Sequence, residues 1–172
     1  MVIVAVAAVY VVQLVGAQGP TVTEEQFAEL ENGASFGGYD ATFTGTPFAV
    51  WDFGDSPPAS CVDVTQNELL HAKKRYVDNT GELYVERFDT TANSAEYVKQ
   101  WQTCAIALSE QDGSKPSTAS GTTNGVHWTA DPSAGYFQYG NVVTLVRYEN
   151  PTVKGTERLA LATKDLVNQL AR

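Results

Sequence analysis

The sequence predicts an α+β domain in which an antiparallel sheet carries helices on one side. Three observations lead there. The chain has 172 residues, 43% hydrophobic and 18% charged, enough for one covered core and too few for two ordinary domains. Apolar residues recur at helical spacing in the middle and at the end of the chain, and a capped helix opens it. Between these lie stretches rich in β-branched and aromatic residues, joined by short turns containing Gly or Asn, as in antiparallel hairpins.

The elements follow in order. Thr23 reads as the N-cap of a short helix, 24–31, with acidic residues in its first turn and Gly33 past its end. The Gly-, Thr-, Phe- and Pro-rich stretch to Pro58 reads as loops, with a short strand over 41–44 and a brief helix around 48–53; Trp51 reads as core. Cys61 follows in the Pro-rich loop "GDSPPASCVD". "ELLHAKKRYVD" and "GELYVERFD" flank Asn79-Thr80-Gly81 as the arms of a hairpin. Asn93, with Glu96 three residues on, caps a central helix whose buried stripe is Val98, Trp101, Cys104 or Ala105, and Leu108. Ser109–Gly125 is poor in apolar residues and reads as a long loop. "VHWTA" is a strand, and "GYFQYGNVVTLVRYE" folds back on itself at Gly140-Asn141. Thr156 caps a last helix with Leu159, Ala162, Leu166 and Leu170 on one face.

Ahead of this domain, 18–172, stands "MVIVAVAAVYVVQLVGA", residues 1–17, without a charged residue. At about 1.5 Å per helical residue the run falls short of a hydrocarbon core roughly 30 Å thick. It matches the apolar region of a signal peptide, with small residues before Gln18 where a peptidase would cut. A basic n-region is missing, so either the start lies upstream of Met1 or the segment stays attached as a membrane tether. No cysteine lies near the cut, which excludes a lipid-modified lipoprotein. The chain is expected to be extracytoplasmic, secreted or anchored to the cell membrane. In an oxidising space two cysteines, Cys61 and Cys104, most simply form one disulfide, with two free thiols as the alternative.

Charge and motifs narrow the function by exclusion. With 20 acidic against 11 basic residues, net −9, the surface repels phosphate backbones, so nucleic acid is not an expected partner. "GASFG", 33–37, fits the string of a hydrolase nucleophile elbow around Ser35, but a helix precedes it and none clearly follows; a Gly-rich helix end explains it better. His71 and His127 lack partners at metal-ligand spacing, and no Walker or dinucleotide motif occurs. No metal, cofactor or catalytic residue is expected. The aromatics are the remaining lead. Trp128, Tyr136 and Tyr139, with Arg147 and Tyr148 on the next strand, could furnish a sheet-lined ligand cleft with one cation.

The loop Cys61, the helix segment "YVKQWQTC" with Trp101 and Cys104, the strand "GNVVTLVRY" and the closing "ERLALATKDLVNQLA" together resemble the extracytoplasmic sensor domain of mycobacterial PknH-type serine/threonine kinases, which also occurs in stand-alone exported or lipid-anchored proteins. The resemblance covers roughly 23–172. It implies an antiparallel sheet with surrounding helices, a cleft for an unidentified ligand, and pairing of Cys61 with Cys104. Family members usually carry a second disulfide between the two final strands; here "GYFQYG" and "LVRYE" lack cysteine. Tyr136 or Phe137 packing against Tyr148 would take its place. The kinase module is absent, so signalling by phosphorylation does not carry over.

These readings converge on an exported, monomeric, non-enzymatic sensor-type domain that binds a small molecule or cell-envelope component. A membrane-tethered protein–protein interaction module and a secreted hydrolase are the alternatives.

Overall fold

From Leu83 to Phe88 every residue of one strand is buried, so that strand is covered on both faces. The computed structural model describes residues 19–37, 39–43, 56–65, 70–77, 82–113, 118–131, 134–147 and 153–172. The apolar segment 1–17, the helix expected around 48–53, Trp51, the turn at 79–81 and Tyr148 lie outside the described residues.

In chain order the elements are α1 (Glu24–Ala28) with a 3₁₀ turn (Glu29–Asn32), β1 (Ala34–Phe36), β2 (Tyr39–Phe43), α2 (Ala59–Thr65), β3 (Leu70–Val77), β4 (Glu82–Phe88), α3 (Thr91–Gln111), β5 (Ala119–Thr123), β6 (Val126–Ala130), β7 (Ala134–Tyr139), β8 (Val142–Arg147) and α4 (Val153–Leu170). The strands form one sheet in the order β1-β2-β3-β4-β8-β7-β6-β5, with every neighbouring pair antiparallel. The expected α+β class, a single antiparallel sheet with helices, is what the chain forms.

The side of the sheet that the helices take differs from expectation. Val85 stands opposite Thr144, which in turn stands opposite Phe137, so these residues share a face. That face packs under α4 and α1, where Val22, Phe27, Leu30, Leu83, Leu166 and Val167 form a buried cluster. Tyr84, Phe88, Tyr136, Val143 and Leu145 point the other way and are covered by α3, around Tyr97, Trp101 and Cys104. Helices therefore cover both faces. The reason is in the sequence of β4: Tyr84 and Phe88 are as large and apolar as Leu83 and Val85 on the opposite face. Each such side chain contributes about 1.5–3 kcal/mol only if it is buried.

Local chemistry explains the element boundaries. At α1, Thr23 Oγ1 accepts from the Gln26 N–H at 3.2 Å and Gln26 Oε1 accepts from the Thr23 N–H at 2.9 Å, a reciprocal cap. The cap of α3 is Thr90, whose hydroxyl oxygen accepts from the Asn93 N–H at 3.1 Å, so Asn93 lies inside the helix it was expected to start. Cys61 lies in α2, a helix opened by the Pro-rich stretch, and is not in a loop. The expected long loop holds the end of α3 and all of β5. At the sheet edge β5 is mostly exposed, so it never needed the apolar alternation that marks a half-buried strand. Thr156 is buried within α4, which begins three residues earlier.

The Gly140-Asn141 turn between β7 and β8 forms as expected and also holds the start of the domain. Gly140 has φ 59°, and a Cβ there would overlap the Pro20 carbonyl oxygen, so only glycine admits this close approach. Asn141 Oδ1 accepts from the Val22 N–H at 2.8 Å, while its Nδ2 donates to the carbonyls of Val22 at 3.0 Å and Phe88 at 2.7 Å. One buried amide thus ties the N-terminal strap to the end of β4. Asn141→Ala is expected to destabilise the fold by roughly 2–4 kcal/mol, since it orphans three buried backbone groups at about 1 kcal/mol or more each. Urea unfolding checks this through a lower midpoint at unchanged slope; a loss below about 0.5 kcal/mol would show that the strap contributes little.

Candidate functional site

The strand register decides which of the expected ligand residues meet. Trp128 is opposite Phe137 and Thr129 is opposite Tyr136, so Trp128 and Tyr136 point to opposite faces of the sheet. Tyr136 is fully buried under α3, with its ring centroid 4.5 Å from that of Trp101 and 6.3 Å from that of Tyr97. It is a core residue. Its aromatic partner is thus Trp101, while the Tyr148 packing expected for it lies outside the described residues. Arg147 shares the face of Tyr136 but sits at the far end of the strands, where its Nη1 donates to Glu82 Oε2 at 3.0 Å and the Tyr84 hydroxyl donates to the same oxygen at 3.2 Å. Trp128 and Tyr139 share the α4 face. The four of these residues that are described, Trp128, Tyr136, Tyr139 and Arg147, therefore do not line one cleft.

The hydrolase alternative gains no geometry among the described residues. Ser35 lies within β1, paired with Asp40, and not on a strand-to-helix turn. His127 lies in β6, six places from β1 in the sheet order. Cys104 is bonded to Cys61, which removes the thiolate a nucleophile requires. No group of three or more His, Cys, Asp or Glu side chains among the described residues is placed to hold a metal.

One titratable cluster lies under α3. Burial first, then the nearby Glu86 and Tyr136, hold the Tyr97 hydroxyl well above its usual range. Tyr97 is thus neutral, beside the fully buried side chain of Glu86. A tyrosine pKa raised on folding means that the folded state keeps a proton the unfolded state gives up near pH 10. Its stabilisation is complete below that pH and is lost as pH rises through the folded value. Wild-type stability should therefore fall above about pH 10 more steeply than that of Tyr97→Phe, as measured by thermal unfolding at pH 8–11. Parallel profiles would contradict the assignment.

The outer strands β5 and β6 hold a second arrangement, missed in the sequence reading. They are joined by Asn124 and Gly125, with φ of 52° and 85°, the two left-handed residues of a tight hairpin turn. The Trp128 indole is half-buried and lies across Gly121 on β5; a Cβ at Gly121 would come within 2.8 Å of the ring atom Cζ2. Its Nε1 donates to Thr123 Oγ1 at 3.2 Å, which fixes the ring. From α4, Lys164 Nζ donates to the Asn124 carbonyl at 2.8 Å and stands 5.5 Å from the centroid of the half-buried Tyr139 ring. On the opposite face Thr122 Oγ1 and His127 Nδ1 are 3.0 Å apart, and Gln102 Nε2 donates to Ser120 Oγ at 3.4 Å. The result is a fixed indole and one cation on the α4 face, with the Ser120 and Thr122 hydroxyls on the other face of the same hairpin. The Asn-Gly dipeptide was the signal that could have revealed it.

No family model matches the chain, and no curated protein or solved structure matches it.

Proposed function

We propose that this chain is an exported, non-enzymatic, monomeric binding domain of the sensor type, which recognises a cell-envelope component on the outer strands around Trp128. The observation that carries this reading is the indole itself: partly exposed, hydrogen-bonded and held against a glycine of the neighbouring strand, where an aromatic platform for a ligand would be pre-organised. The disulfide supports an oxidising, extracytoplasmic location, since such bonds persist there and are rare in reducing compartments. The apolar segment 1–17 serves in this reading as the export signal or tether. The ordered set of motifs resembling PknH-type sensor domains points the same way. Because the expected ligand residues fall on two faces, recognition at the outer surface is favoured over an enclosed small-molecule cleft.

The experiment is a native-condition mass measurement of the protein purified from the envelope of a host that exports it. A bound species that leaves on denaturation, and is lost in Trp128→Ala while the domain keeps its melting temperature within a few degrees, is the expected result. A bound species indifferent to Trp128→Ala would move the binding surface elsewhere.

A further inference from the structure

The sheet has two edges, and among the described residues only one is guarded. At one edge, β1 is three residues long, and the Gly37 carbonyl that follows it accepts from Arg158 Nη2 at 2.9 Å. Shortness is itself a guard against unwanted pairing. At the other edge, β5 is the five-residue segment Ala-Ser-Gly-Thr-Thr, with no charge and no proline. Ala119, Ser120 and Thr122 are exposed, and no described strand pairs beyond it. Strands that lack charges, prolines and bulges are templates for another strand.

Side chains next to this edge define what it would accept. Gly121 has no side chain, so the indole of Trp128 covers it. A strand added outside β5 would set one side chain beside the benzo edge of that indole, where an apolar group buries area. Neither β5 nor β6 carries an Asp, Glu, Lys or Arg, so the pairing residues need no countercharge. Net charge selects the partner. A second copy would bring together two bodies of charge −9, whereas a segment with basic flanks would be attracted.

We propose that β5 is a pairing edge for an extended segment of another envelope polypeptide, with uncharged β-branched residues at the pairing positions, an apolar side chain against Trp128, and basic flanks. This rests on the reading of the outer strands as the binding surface and names the class of component they take. Main-chain hydrogen bonds along β5 supply affinity, and the Trp128 contact supplies register.

The test selects a phage-displayed library of random twelve-residue peptides on the full chain and compares Ser120→Pro with Gly121→Pro. Successive residues of an edge strand direct their N–H groups alternately inward and outward, so one of these prolines removes an outward N–H and leaves pairing with β6 intact. The melting temperature identifies which. Expected are peptides of alternating β-branched residues with Lys or Arg flanks that slow amide exchange at Ala119–Thr123 and bind at least tenfold more weakly to the well-folded proline variant. Overturning results are no enrichment, equal binding to that variant, or concentration-dependent dimerisation through β5, which would make a second copy the occupant. Peptides that protect β6 and α4 around Trp128 but ignore the proline would remove this proposal and leave the outer-strand surface standing. Species indifferent to both the proline and Trp128→Ala would remove both.

Discussion

Breaking the Cys61–Cys104 bond should lower the stability of the domain by about 4 kcal/mol, the chain-entropy estimate for a loop of this size. The bond joins residues 43 apart in sequence, with Cα atoms 4.7 Å apart, and pins α2 against α3. Both cysteines are fully buried beside Trp101 and Tyr136, so each substitution also removes core volume. For a domain of 150–250 residues each kcal/mol is worth about 2–4 °C, so a drop on the order of 8–16 °C is expected. Cys61→Ala and Cys104→Ala should have similar effects, and the double variant should lose little more than either. Thermal unfolding measured by circular dichroism decides this, and clearly additive losses would show that the two residues contribute separately.

Trp101→Ala should cost about as much, roughly 3–5 kcal/mol, through a different mechanism. The Trp101 side chain fills the space between α3 and the sheet, with its ring 4.5 Å from Tyr136 and the residue only 3% exposed. Truncation leaves a cavity that β7 and β8 cannot collapse to fill, since both are held by neighbouring strands on each side. Trp101→Phe retains part of the contact and should lose about half as much. Chemical denaturation of the two variants would show this order; equal losses would mean that packing against Tyr136 is not what the residue provides.

How much of this was legible depended on whether the signal was local or depended on strand pairing. The Thr23 cap, the Gly140-Asn141 turn and the α3 stripe with Trp101 and Cys104 are local signals, and each forms in the structure. The Thr90 cap was displaced to Asn93 because both residues carry the same capping chemistry three positions apart. Strand β5 was read as loop because an exposed edge lacks the apolar alternation of a half-buried strand, although Asn124-Gly125 marked its turn. The candidate site was the least legible part. Whether Tyr136 joins Trp128 or turns away from it depends on pairing register, and a one-residue difference reverses the answer. The contact of Trp128 with Gly121 is likewise set by the register of β5 on β6.

The same register separates the aromatics of the two faces. The α3 face is filled by large aromatics, the disulfide and the Tyr97–Glu86 pair, and serves stability. The described aromatics of the outer strands that stay partly open, Trp128 and Tyr139, lie on the α4 face.

Hydrogen exchange of the full chain, compared as isolated from the envelope and after removal of bound material by denaturation and refolding, tests the central claim most directly. Slower exchange over Ala119–Ala130 in the as-isolated protein, with α3 and β4 unchanged, is the result this account predicts. Protection confined to the Glu82–Arg147 end of the sheet, or identical exchange in the two preparations, would contradict it.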